Sequence, residues 1–409
     1  MKKETSRIDS LDSLRGLASF TVIIHHCLLI FPIFLTAFYH EPISNNVVRF
    51  LERSPLHTLW AGYQAVVLFF VLSGFVLALP FINNRTTSYG VYAVRRFCRI
   101  YLPYIVTVLL SILIFTLFFP TDKPVVEGTS SWFNEQWSTN LTPYHIISFF
   151  LMLGYDTHNI ATSTWSLVHE MRISLFFPFI MIFVLRTRSW LKTGVIGLII
   201  TISLKTAMVV AAKMVNQEEL SALVTSFGAT FYYTSFFIIG ALMAKHRHQL
   251  IHYIKQVGVL GKSIVVVLAI LFYNIEWITP GLGFMKHNGN LISGNIATLI
   301  IDFGTAVGVF LFITLIIGTD TKFMSNPVML WLGRISYSVY LIHPIILLIV
   351  VHAAGHSISL KVLAFTIPVL ALAVGTLYYR LVERPSMLIG KRLTTKKKKP
   401  DVVETTIFN

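Results

Sequence analysis

Ten apolar runs recur along this chain, and most are long enough to cross a lipid bilayer. They cover roughly residues 11–38, 60–82, 101–119, 165–185, 193–215, 223–244, 257–279, 295–318, 335–354 and 360–382. A helical crossing needs about 20 consecutive, mainly apolar residues. Inside a bilayer every backbone amide must be satisfied by the spanning structure itself, which leaves helices or closed barrels. The alternating segments of about ten residues that mark a barrel are absent. The expected fold is therefore all-α: a polytopic integral membrane protein with about ten transmembrane helices. Composition agrees, because only 12% of the residues are charged and 55% are apolar, about half the charged share of an ordinary soluble domain. A shorter run at 144–155 is too brief to span and is expected to dip in or lie at the interface.

The net charge of +15 would suggest nucleic acid in a soluble protein, but here a topological explanation suffices and no nucleic-acid partner is expected. With the N-terminus inside, one set of loops collects Lys2, Lys3, Arg7, Arg85, Arg95, Arg96, Arg99, Arg186, Arg188, Lys192, Lys245, Arg247, Lys255, Lys322, Arg334 and the basic C-terminal end. The opposite set holds only Arg49, Arg53, Lys123, Lys286 and Lys361. This asymmetry predicts cytoplasmic N- and C-termini by the positive-inside rule. The chain then divides into a cytoplasmic N-terminal segment (1–10), one membrane domain (11–392) and a basic cytoplasmic tail (393–409). The run Lys396–Lys399 is expected to touch anionic lipid. The first apolar segment is too long for a signal-peptide core and reads as an uncleaved helix. Cys27 and Cys98 support neither a disulfide framework nor a metal site. No small-residue helix-pairing patch or internal repeat stands out. In the longest outer loop, 120–143, Trp132, Phe133 and Trp137 either anchor at the interface or face a ligand.

Ionisable groups inside membrane helices are costly and usually face a cavity or a partner. Arg15 and His26 lie eleven residues apart, about 1100° of helical rotation, within about 20° of three full turns and about 16 Å along the axis. They share one face, whereas His25 points about 80° away and suits helix packing. Asp12 stands at the spacing of a helical ion pair with Arg15. Glu170 and His26 both fall about 8 Å below the outer edge of a core about 30 Å thick, so they are expected to meet. A carboxylate beside an imidazole fixes its tautomer and raises its basicity, as a general base requires; the alternative is that Glu170 pairs with Arg172 or Lys205. Arg95, Arg96 and Arg99 open the third helix and suit phosphate recognition, or simply hold a basic loop inside. His343 either packs or lines a pore. Asp302 is expected to face polar space. "HEMRI" at 169–173 lacks the second histidine of a zinc-protease motif, and His246, His248 and His252 read as a solvated cluster. No metal is expected.

Six stretches, in order, resemble the acyltransferase family 3 membrane proteins: "LDSLRGLASFTVIIHH" (11–26), "FFVLSGFVLA" (69–78), "RRFCRIYLPY" (95–104), "TWSLVHEMRISLFFP" (164–178), "GRISYSVYLIHP" (333–344) and "YYRLVERP" (378–385). The likeness spans about residues 9 to 392, and the family's Arg-x10-His spacing joins Arg15 to His26, the histidine that the helical geometry also selects. The resemblance implies transfer of an acyl group, often acetyl, from cytoplasmic acyl-coenzyme A to a carbohydrate hydroxyl. Family acceptors include cell-envelope polysaccharides, peptidoglycan and glycosylated small molecules.

On that basis His26 and Glu170 are the expected catalytic pair. Arg95, Arg96 and Arg99, helped by Arg15, are expected to hold the donor's phosphates. Tyr337, Ser73 or a backbone amide is expected to stabilise the oxyanion, and Tyr337, His343 and Trp165 are the expected substrate contacts. The expected partners are acyl-coenzyme A, a carbohydrate acceptor and membrane lipid. A rival, a proton-coupled carrier, also buries Arg, His, Asp and Glu, but the paired broken helices of two repeated halves are not found.

Overall fold

The computed structural model describes residues 2–119, 123, 125–138, 141–154, 159–319 and 322–395. Lys396–Lys399 therefore lies outside the described residues. In chain order the helices are α1 (Lys2–Leu29), α2 (Pro32–Phe38), α3 (Asn46–Arg53), α4 (Gly62–Ile82), α5 (Tyr89–Phe118), α6 (Ser131–Glu135), α7 (Pro143–Leu151), α8 (Thr164–Arg186) and α9 (Trp190–Lys213). They continue with α10 (Glu218–Lys245), α11 (Arg247–Gln256), α12 (Val259–Tyr273), α13 (Ile275–Ile278), α14 (Pro280–Asn288), α15 (Leu291–Gly318), α16 (Pro327–Ala354), α17 (Leu360–Tyr378) and α18 (Arg384–Thr394). The chain is all-helical among the described residues.

Among the described residues, eight helices are long and apolar enough to cross a membrane: α4, α5, α8, α9, α10, α15, α16 and the continuous run Leu360–Thr394. The other two apolar runs depart from single straight crossings. The first, 11–38, is broken: Asp9–Leu29 and Pro32–Phe38 meet at 116°. The cause is local. Proline excludes the helical region for the residue before it, and Phe31 is extended, with φ −88° and ψ 130°. The seventh, 257–279, yields only the 15 residues of α12, about 22 Å of helix, short of a core about 30 Å thick. Asn274 ends it, donating through its side chain to Ile270 O at 2.8 Å and Thr58 Oγ1 at 2.7 Å. The short run at 144–155 contains the nine-residue α7.

Helices α1 and α16 run side by side in the same direction at the centre of the bundle. Ser13 Oγ donates to Met324 O at 2.7 Å, Ser19 Oγ to Ser336 O at 2.9 Å, and His26 meets His343 near the far end. The pairing rests on two glycines from distant parts of the sequence. A Cβ at Gly16 would sit 2.6 Å from Gly333 N, and one at Gly333 would strike Asp12 O. Close backbone approach through small residues is how helices associate without a hydrophobic drive. No small-residue repeat marks it in either segment, because each helix contributes a single glycine. Gly16→Val should therefore force the two backbones apart, at about 1–3 kcal/mol or more, read as a lowered thermal unfolding midpoint in detergent.

The two ends of the bundle differ. At one end the α4–α5, α8–α9 and α10–α11 links gather: Arg247 donates to Asn83 Oδ1 at 3.1 Å and Lys245 to Val184 O at 2.7 Å. This is the arginine end. At the other end α2, α3, α6, α13 and α14 form a cap of short helices over the histidines of α1. The flanks of α9, α12 and α17 expose Ile199, Val267 and Phe365, as lipid-facing surfaces do. Cys27 and Cys98 are buried and free.

Candidate functional site

A narrow cleft of about 70 Å³ opens among α1, α4, α5, α8 and α16 on the arginine side. Arg15, Arg96, Arg99, Ser73, Glu170 and Tyr337 line it. Arg96 and Arg99 reach it together because residues three apart share a helix face. Arg95, one position off that face, turns outward and donates to Thr394 Oγ1 at 2.8 Å; it leaves the expected donor-binding group. Arg15 keeps Asp12 at 3.7 Å, the ion pair read from the sequence, and lies in the fields of Glu170 and Glu383 as well. Tyr337 lines the cleft but its hydroxyl donates to Ile100 O at 2.8 Å.

Glu170 accepts from Ser73 Oγ at 3.1 Å and shares the cleft with the three arginines. The alternative partners Arg172 and Lys205 are engaged elsewhere: Arg172 donates to Ser226, Thr230 and the carbonyls of Met152 and Leu153, and Lys205 lies over the Tyr232 ring at 4.2 Å. Glu383 went unrecognised in the sequence. It is buried, accepts from Ser338 Oγ at 2.5 Å and lies in the fields of Arg99 and Arg15. It lies in the π-helical turn Tyr379–Glu383, the kind of irregularity that concentrates at functional sites.

Three turns along α1 from Arg15, the His26 ring packs at 5.0 Å from the His343 ring, with Nδ1 of His26 2.8 Å from Nε2 of His343. The hydrogen-bond pattern assigns the tautomers. His343 Nδ1 is 3.1 Å from Val339 O, an acceptor only, so that nitrogen carries the proton and Nε2 presents a lone pair. His26 then donates to it from Nδ1. The sequence expected Glu170 to orient His26; the hydrogen bond at His26 Nδ1 goes to His343 instead, and Glu170 balances arginines. Tyr340 joins the two regions. It lines the cleft, its hydroxyl meets Ser166 Oγ at 2.7 Å, and its ring is 6.0 Å from that of His343.

The long loop covers the pair. Ser130 bonds to Leu29 O and Ile30 O at the end of α1, at 2.5 and 2.7 Å, and this fixes the Trp132 ring 5.3 Å from His26. Phe133 and Trp137 are buried against the protein. Trp165 faces His169 and Tyr233 in a separate cavity, away from the position expected of a substrate contact. His25 turns off the α1 face: its Nδ1 donates to Trp60 O at 3.1 Å.

His25 lines instead a second chamber, of about 190 Å³, with Phe38, Tyr63, Glu276, Trp277 and Lys286. Burial alone would raise the Glu276 carboxyl, but the Lys286 ammonium at 2.9 Å and the hydrogen bond from His287 hold it well below the usual carboxylate range. Burial would lower Lys286, and Glu276 more than offsets it, holding it above its usual range. The carboxylate's contribution to stability is present above about pH 4.3 and lost only as pH falls through the depressed folded value. The ammonium's is present below about pH 10.4 and lost as pH rises through the raised folded value. Glu276→Gln leaves a buried ammonium uncompensated and should cost about 3–5 kcal/mol across that window, measured by thermal unfolding at several pH values. Asp302, expected to face polar space, is fully buried and accepts from Tyr63 and Tyr232, each at 2.8 Å.

A family model described as an acyltransferase domain matches residues 8–379 of the chain. No curated protein and no solved structure matches it.

Proposed function

The chain belongs to the acyltransferase family that this match defines and is a multi-pass membrane enzyme transferring acyl groups other than aminoacyl groups; from that premise we propose that it moves an acyl group, acetyl in the simplest case, from acyl-coenzyme A to a carbohydrate hydroxyl, on a cell-envelope glycan or its precursor. The observation that carries this reading is the line of groups along α1 and α16. Guanidinium groups stand at one end of a narrow cleft, and a tautomer-fixed imidazole stands near the other end of the bundle.

In this proposal the arginine end faces the cytoplasm, as the positive-inside rule requires. Ten passages, counting the bent first segment and α12, then keep both termini on that side. Arg96 and Arg99 hold the donor's phosphates, with Arg15 beside them, because planar guanidinium forks match phosphate oxygens. The cleft is smaller than the roughly 300–1,000 Å³ of a whole-ligand pocket, so it suits the thin arm of the donor while the nucleotide stays at its mouth. The thioester is presented near His26. Nε2 of His26 removes the proton of the acceptor hydroxyl, the oxygen attacks the thioester carbonyl, and the C–S bond breaks. The departing thiolate takes the proton back from His26. His343 accepts from His26 Nδ1 throughout and holds the ring. A neutral imidazole partner stabilises imidazolium less than a carboxylate does, but it avoids burying an unpaired negative charge in the apo protein. Glu170 and Glu383 keep the arginine cluster from self-repulsion before the donor arrives.

The decisive experiment incubates purified protein in lipid nanodiscs with acetyl-labelled coenzyme A. Consumption of the thioester, with label passing to water, to glycan or to the protein, is the expected result. No donor consumption, together with solute counterflow in vesicles lacking coenzyme A, would replace the enzyme by the carrier. Analysis of cell-surface glycan with and without the protein then tests the acceptor class.

A further inference from the structure

We propose that His40, Glu276 and His287 form a binding site for a zinc-class divalent ion in the cap over the histidine end, a site independent of the acyl-transfer reading. The three residues come from the turn after α2, from α13 and from the end of α14. Their ligand atoms all lie within 4.8 Å of one another. Glu276 Oε1 is 3.7 Å from His40 Nε2 and 3.4 Å from His287 Nε2. Ligands held about 2.0–2.2 Å from a tetrahedral zinc ion stand about 3.3–3.5 Å apart. The two distances to Glu276 already lie within a few tenths of an ångström of that spacing, and the two imidazoles, within 4.8 Å of each other, close to it by at most about 1.5 Å through ring rotation.

A second observation points to a missing partner. The His40 side chain is only 7% exposed, its distance to Glu276 is too long for a hydrogen bond, and its Nε2 has no hydrogen-bond partner among the described residues. Burying such a nitrogen unpaired is unfavourable. The fold makes room for the ring at that spot, since a Cβ on Gly283 would collide with it. The carboxylate is already supported as metal ligands usually are: Gln64 donates to Glu276 Oε2 at 3.0 Å. His40 also lines a neighbouring cavity of about 280 Å³, with Glu41 and Glu52 on its walls.

Lys286 opposes a cation at Glu276 Oε1, and the surroundings give it somewhere else to go. Its ammonium lies 4.5 Å from the centre of the Tyr63 ring, and the Tyr63 hydroxyl binds Asp302 Oδ2. Asp302 Oδ1 is buried with no hydrogen-bond partner among the described residues. The ion would take Lys286's place on Glu276 while Lys286 moves to Asp302. Bound there, it would tie α2, α13 and α14 into one roof beside His25, a structural site with one ligand position left for water.

The test is calorimetric titration of detergent-purified, chelator-stripped full chain with zinc chloride, with cobalt(II) absorption as the reporter of tetrahedral N/O ligation. One ion per chain is expected. His40→Ala and His287→Ala should each weaken binding by more than about 100-fold. Lys286→Met should tighten it at least about tenfold by removing the competing charge, a gain that damage to the cap would not produce. Absence of stoichiometric zinc in the wild type, unchanged affinity in His40→Ala, no tightening in Lys286→Met, or loss of the ion only in a His246→Ala/His248→Ala/His252→Ala variant would each overturn the site.

Discussion

His26→Ala should lower acyl transfer by about 10²–10⁴-fold, the range general acid–base catalysis supplies, while the protein still inserts and remains monodisperse. The ring is half-buried and makes a hydrogen bond and ring contacts at the end of α1, so its loss leaves the α1–α16 contacts at Gly16 and Ser19 in place. Initial rates of labelled-acetyl transfer with saturating donor measure the effect. Near-normal activity would move the chemistry to His25, whose ring centre is 5.5 Å from that of His26. His343 is a positioning residue in this scheme. His343→Ala removes the acceptor that keeps the His26 proton on Nδ1, so it should both lower kcat and displace the acid limb of the pH–rate profile. A merely structural histidine would lower the yield of folded protein and leave the profile of the survivors in place.

The second large effect is expected on the donor side. Arg96→Ala combined with Arg99→Ala should raise the donor KM by at least about 100-fold, taking about 1.5 kcal/mol for each of the two charge-assisted hydrogen bonds lost. It should also flatten the dependence of donor KM on ionic strength. Because Glu170 and Glu383 lie near these arginines, Arg99→Lys is the companion variant. It keeps the charge and the fold but loses the planar fork, and should show a smaller rise in KM with little change in kcat. An unaltered donor KM in the double variant would return both arginines to holding a basic loop at the membrane surface.

The shared face of Arg15 and His26 was legible because a helix fixes angles from spacing alone. The structure runs that face along α16, with contacts at Gly16, Ser19 and His26. The same rotation sets Arg95 apart from Arg96 and Arg99. The meeting of Glu170 with His26 rested on equal depth, and depth says nothing about which neighbour stands between. Trp132 carried two possible roles as a loop aromatic; a loop anchored by Ser130 sends it to His26.

The amino-acid sequence by itself determined that this is a helical membrane protein, that basic residues crowd alternate loops between its apolar runs, that it resembles one acyltransferase family, and that one arginine and one histidine share a helix face. Each of these follows from composition or from periodicity within a single segment. Only the tertiary structure decided that His343 holds His26, that Glu170 and Glu383 balance the arginines, that Trp165 lies elsewhere, and that His40, Glu276 and His287 converge. Those partnerships join residues tens to hundreds of positions apart. They are set by helix register and close glycine contacts between segments, which no local pattern encodes.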